Sequence, residues 1–174
     1  PNLSNAVVSA LTEEQVVSIT SDQMAVLTTA HIAAMSSTQL AALDTSQIEA
    51  LSTEQLIAIE TQDVPALREE QLAQLSTTQT AALTTAQLAA LSSTQFETLP
   101  TDQVSALTAT QLASLSTSKV QLLNEEQLTT LSSTQLNSFS TDVVANLTTD
   151  HISVLNGTQI KGLDTRFIHS LNSA

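Results

Sequence analysis

Residues 51–59 read LSTEQLIAI, residues 91–99 read LSSTQFETL and residues 131–139 read LSSTQLNSF. In each stretch a serine (Ser52, Ser92, Ser132) is followed three residues on by a glutamine (Gln55, Gln95, Gln135) and then by two apolar residues three apart. Working outward, the chain divides from residue 4 to residue 171 into 21 consecutive octads without insertion or deletion, with the consensus [S/T]-T-x-Q-[L/I/V]-A-A-L. The eighth position is apolar in all 21 octads, and the fifth in all but the one with Thr80. Gln fills the fourth position in 14, and Ser, Thr, Asp or Asn fills the first in 18, the exceptions being Glu60, Arg68 and Pro100.

The octad describes a short helix. Gln, Leu and Ala favour helix over strand, and an apolar pair three apart suits one helical face. One continuous helix fails, because eight residues at about 100° each turn the apolar pair by roughly 80° per octad and no buried stripe survives. The chain must therefore break once per repeat. Ser52 reads as an N-cap whose hydroxyl accepts from the Gln55 backbone N–H, while the Gln55 side chain reaches back to the Ser52 N–H, the reciprocal pair known as a capping box. Ser92 with Gln95 and Ser132 with Gln135 repeat it. Leu51 and Leu56, Leu91 and Phe96, and Leu131 and Leu136 then stand as hydrophobic staples and as candidate core.

Acid placement agrees with this reading. Eleven of the 17 acids, among them Glu13, Glu14, Glu69, Glu70, Glu125 and Glu126, fall at positions two and three, where a helix start favours negative charge. Helices this short are unstable alone, so neighbouring octads must cover the apolar pairs. The expected architecture is all-α: a superhelical α-solenoid of about two-turn capped helices, lined by positions five and eight. It forms one repeat domain over residues 1–174, with flanks 1–3 and 172–174. Small residues at positions six and seven are expected to let helix axes approach closely. A β-solenoid with eight-residue rungs is the alternative, opposed by the Ala-Ala pairs and by only two glycines. ETQDVPAL (60–67) lacks both cap and Gln and carries Pro65, which predicts a distorted or 3₁₀-like octad. Val7, Val143 and Phe167, apolar at the fourth position, are expected to cover open ends of the coil.

Composition limits function. A formal charge of -13 repels nucleic acid and anionic lipid, and no apolar run approaches the roughly 20 residues of a membrane span. Without cysteine there is no disulfide or thiolate chemistry. The start at Pro1 suggests a piece of a longer chain. His31 and His151, at the Gln position, are candidate haem or metal ligands or else capping-box variants. They lie 15 octads apart with no ligand partner at metal spacing. His169 with Lys161, Arg166 and Phe167 forms the basic stretch, readable as a contact surface or a solvated end. Asn146 and Asn156 open N-x-[S/T] sequons. No nucleophile elbow or phosphate loop is present, so no enzyme and no cofactor is expected.

Residues 75–83 (LSTTQTAAL) and 83–91 (LTTAQLAAL) resemble the L-T-T-x-Q-[I/V/L]-x-x-L repeats of very large bacterial secreted or surface proteins described as adhesin-like or haemagglutinin-like. The resemblance covers almost the whole chain and implies an extracellular or cell-surface setting. It also implies a structural or adhesive role with a protein or glycan partner, and self-association is open. Asp63, Lys119, Val143 and Phe167 depart from the motif at its fourth position. Two functions follow: a non-catalytic spacer or interaction module, or a solenoid holding a small apolar molecule such as haem in a groove or channel.

Overall fold

The computed structural model describes residues 3–171, and within them each octad forms one short helix and none forms a strand. The protein is an all-α solenoid, and the β-solenoid is excluded. The helices run from Asn5–Ser9 to Thr165–Leu171 and span four to seven residues, shorter than the two turns expected. The octad with Pro65 is a 3₁₀ helix, Thr61–Ala66, still burying Val64 and Leu67.

Two successive extended residues make the reversal at residues 91 and 92. Leu91 (φ -51°, ψ 139°) leaves one helix and Ser92 (φ -63°, ψ 166°) begins the next. No described residue needs a positive φ, so Leu-Ser and Leu-Thr pairs turn the chain without glycine. Leu51.N–H donates to the Ile48 carbonyl (3.2 Å), drawing the eighth side chain inward.

Each helix packs against the helix three octads on, as Glu13–Val17 does on Ser37–Ala42 and Thr101–Ala106 on Glu125–Thr130. The glutamine side chains instead bond the octad four repeats back, as Gln87 bonds Leu56 and Ile59, so one coil holds between three and four octads. Positions five and eight, joined by the fourth-position Val143 and Phe167, form one continuous apolar core from Val8 to Phe167. Leu51, Leu56, Leu91, Phe96, Leu131 and Leu136 are all buried in it. The odd residue Thr80 is buried too, its hydroxyl donating to the Ser76 carbonyl (3.1 Å) in its own helix.

Two expectations are corrected. The alanines at positions six and seven, such as Ala41, Ala42, Ala81 and Ala82, are only half-buried, so the core approach is made by positions four, five and eight. Among the apolar fourth-position residues, Val7 is 48% exposed and covers nothing, whereas Val143 and Phe167 are interior. Val143 and Phe167 each lie against an earlier coil of the described residues, and Val7 does not.

Candidate functional site

The chemistry of this molecule is concentrated in the row of fourth-position side chains. Ser52.N–H donates to Gln55 Oε1 (2.7 Å) and Gln55.N–H donates to Ser52 Oγ (3.2 Å). Ser92 with Gln95 (2.7 and 3.1 Å) and Ser132 with Gln135 (2.8 and 3.2 Å) form the same box. First-position side chains cap their helices except at Glu60, Arg68 and Pro100, the three positions without a Ser, Thr, Asp or Asn. At Arg68 half a box persists, the backbone N–H donating to Gln71 Oε1 (2.7 Å), because the guanidinium has no acceptor to offer the helix.

The box uses only the oxygen of each glutamine, yet 11 of the 14 are buried. Their amide nitrogens explain this. Gln87 Nε2 donates to the carbonyls of Leu56 (2.8 Å) and Ile59 (2.9 Å), positions five and eight of the octad four repeats earlier. Gln39 does the same to Val8 (2.9 Å) and Leu11 (2.8 Å), and Gln159 to Leu128 (2.9 Å) and Leu131 (2.7 Å). Gln79, Gln127 and Gln135 replace the position-five contact by one to position six, Gln135 reaching Ser105 (2.7 Å) and Leu107 (2.9 Å).

A five-residue helix leaves nearly all of its terminal N–H and C=O groups without helical partners. One glutamine thus closes the N-terminus of its own helix and the C-terminus of a helix in the preceding coil. This second arm escaped the sequence reading. Its signal was the absence of glutamate from all 21 fourth positions, since a carboxylate would serve the box equally well but would repel the carbonyl end of the helix below.

Some departures from glutamine keep the donation to the preceding coil by other means. Lys119 Nζ donates to the Leu91 and Ser92 carbonyls and lies 5.4 Å from the centre of the Phe96 ring; burial pulls its pKa below the usual lysine value. In the last octad Phe167 occupies the position, and its neighbour Arg166 donates to the Phe139 (2.8 Å) and Asn137 carbonyls. Arg68 adds bonds to Ala41 and Leu43 beside Gln71. Three of the chain's four Lys and Arg residues therefore close helix C-termini, and Arg166 belongs to this lattice. Asp63, an acceptor, takes a 2.5 Å bond from the Ser37 hydroxyl.

His31 and His151 are box variants. Their Nδ1 atoms accept from Thr28.N–H (3.1 Å) and Thr148.N–H (3.2 Å), and His31 Nε2 bonds the Leu3 carbonyl (2.7 Å) at the site a glutamine amide would use. The fold does not bring the two together, and the described residues hold no group of three or more His, Asp or Glu suited to a metal. An enclosed void inside the coil, between Ile48, Leu56, Val64, Leu72 and Leu83, measures about 10 Å³. That is about one water, too little to hold a small molecule at this point inside the coil.

The paired acids head their helices as the sequence implied. Glu54 has its pKa lowered by its own backbone N–H and by the Ser52 and Thr53 hydroxyls. Asp44 is lowered by the Ser46 hydroxyl and the Gln47 N–H. Asn156, one of the sequon asparagines, accepts from Thr158.N–H and Gln159.N–H (both 3.0 Å) as an N-cap.

Residues 82–87 spell the unit in one run: an eighth-position Leu83, the cap Thr84 and the two-armed Gln87, within ALTTAQ. The sequence model of the ALTTAQ repeat matches residues 24–58, 56–93 and 85–117, more than half of the chain. The chain belongs to the ALTTAQ repeat family. The matched part of this ALTTAQ repeat protein includes the Pro65 octad, whose carbonyls at Val64 and Leu67 still receive the Gln95 amide (3.2 and 2.5 Å). Comparison with curated proteins returns no match.

Proposed function

We propose that this ALTTAQ repeat chain is a non-catalytic structural and interaction module, a stiff spacer within a larger bacterial surface or secreted protein. It would present an acidic outer surface to a protein or glycan partner. The observation that supports this reading most is the use of the repeat's recurrent residues. Cap, glutamine and both apolar positions are each consumed in joining one coil to the next, and no recurrent side chain remains for chemistry. The extracellular setting rests on the resemblance of residues 75–91 to repeats of large bacterial surface proteins.

A spacer of this kind has adjustable length. Because the contacts between coils link octads a whole number of repeats apart, removing whole octads preserves the register, and removing a fraction of one destroys it. Deletion of residues 84–99, two octads, should leave helical circular dichroism and cooperative unfolding intact. Small-angle scattering should show a shorter particle. Deletion of residues 84–87 should abolish folding. Loss of folding in the first variant, or retention in the second, contradicts the proposal.

A further inference from the structure

His151 stands where a glutamine would close the preceding coil, and it does not close it. Its Nδ1 accepts from Thr148.N–H (3.2 Å), which places the hydrogen of the neutral ring on Nε2, and Nε2–H has no acceptor among the described residues. The carbonyls four octads back, at Val120 and Leu123, receive no side-chain donor among the described residues. A cleft of about 340 Å³ opens there, lined by Leu123, Glu125, Leu128, Asp150, His151 and Val154. Two of the helices that line it, Glu125–Thr130 and Thr149–Ser153, are stacked on each other, so it is a seam between coils and not an end of the solenoid.

The chain itself shows what fits such a gap. Four octads earlier in register Lys119 holds the position of His151, and its ammonium donates to the Leu91 and Ser92 carbonyls, the counterparts of those at Leu123 and Asn124. Lys119 Nζ lies 5.4 Å from the centre of the Phe96 ring, and the counterpart of Phe96 is Leu128 in the cleft wall. The acids of the cleft are new. Glu125 and Asp150 correspond to Ser93 and Ser118, so two carboxylates stand where the internal lysine is missing. With its hydrogen on Nε2 the His151 ring offers the cleft a donor, not a metal ligand.

We propose that this cleft receives a lysine side chain of a partner protein. The ammonium takes the Leu123 carbonyl as Lys119 takes that of Leu91, and the Glu125 and Asp150 carboxylates balance its charge. The methylene stem lies along Leu128 and Val154, and a backbone carbonyl of the partner accepts from His151 Nε2–H. The formal charge of -13 draws such a basic partner from a distance, and salt weakens the attraction. This inference rests on the interaction-module reading and names the chemistry of its partner.

The probe is N-acetyl-lysine N-methylamide, titrated into the isotopically labelled full chain and followed by the amide resonances. It should give saturable shifts around Leu123, Leu128 and His151, and the norleucine analogue, which lacks the ammonium, should give none. Glu125→Gln with Asp150→Asn should weaken binding at least about tenfold with unchanged circular dichroism. His151→Gln should weaken it as much and also raise Tm, because the new amide reaches the Val120 and Leu123 carbonyls as Gln159 reaches those of Leu128 and Leu131. No shift, shifts spread evenly over the acidic surface, equal shifts with the norleucine compound, or binding untouched by His151→Gln each overturn the proposal. Such a failure leaves the spacer reading standing, since the octad deletions test that separately.

Discussion

Replacing Pro100 should stabilise the protein, against the usual direction of substitution in a half-buried turn. Pro100 is an N-cap without an N–H, and Gln103 Oε1, three residues on, is the one buried side-chain oxygen or nitrogen among the described residues with no hydrogen-bond partner. The Gln103 amide nitrogen remains engaged with Leu72 (2.9 Å) and Leu75 (2.7 Å), so the side chain is held in place and its oxygen cannot turn to water. A buried acceptor left unpaired costs about 1–3 kcal/mol. Pro100→Ala supplies the missing N–H. Pro100→Ser adds a hydroxyl cap of lesser value, because Asp102 Oδ1 already accepts from Gln103.N–H (2.9 Å). Against this stands about 0.4–1 kcal/mol from the freer unfolded chain once the proline ring is gone. The backbone is ready for either residue, with φ -54° and ψ 148° close to the values at Ser92.

The net gain expected is about 1–2 kcal/mol for both variants, or a rise in Tm of about 2–8 °C for a chain of this size. Calorimetry and urea denaturation would measure it. The gain should vanish in a Gln103→Met background, where no orphan oxygen exists to be rescued. Two variants no more stable than wild type, or a gain that survives Gln103→Met, would refute the reasoning.

The two glycines should respond oppositely to alanine. A Cβ at Gly162 meets Ser133 Oγ at 2.2 Å and Ser133 Cβ at 2.4 Å, so Gly162→Ala should lower stability by about 1–3 kcal/mol in urea denaturation. Nothing lies within 4 Å of a Cβ at Gly157, and Gly157→Ala should raise stability by up to about 1 kcal/mol. Asp44 should make a small pH-dependent contribution: its folded pKa lies below the unfolded one, so the contribution is present above the ordinary carboxylate range near 3.9 and lost as pH falls through the folded value. Wild type should therefore exceed Asp44→Asn by at most a few tenths of a kcal/mol at pH 7, discounted for exposure, and converge with it in acid. A constant difference across pH would show the effect is not the carboxylate's.

The solenoid, the one-helix-per-octad break, the boxes at Ser52, Ser92 and Ser132 and the 3₁₀ octad at Pro65 were all legible, because each depends on neighbours within eight residues. What the sequence concealed joins residues 28 to 31 apart, as Gln87 joins Ile59 and Leu56. No local pattern states how many octads complete a coil, so the acceptors of the glutamine amides could not be named from it. The burial of Gln39 and Gln111, the exposure of Gln15 and the apparently scattered Lys119 and Arg166 all follow from that one quantity. Gly162 was hidden for the same reason, its neighbour Ser133 lying in another coil.

The central claim, that one amide closes two helices, is tested most directly by comparing Gln87→Glu with Gln15→Glu in urea denaturation at pH 7. Both keep an acceptor for the cap N–H, at Thr84 and Thr12, but only Gln87 donates to a preceding coil. Gln87→Glu should lose at least about 3 kcal/mol, from two unmade bonds and a buried carboxylate facing carbonyl oxygens, while Gln15→Glu changes stability by less than about 0.5 kcal/mol. Equal effects at the two positions would contradict the account.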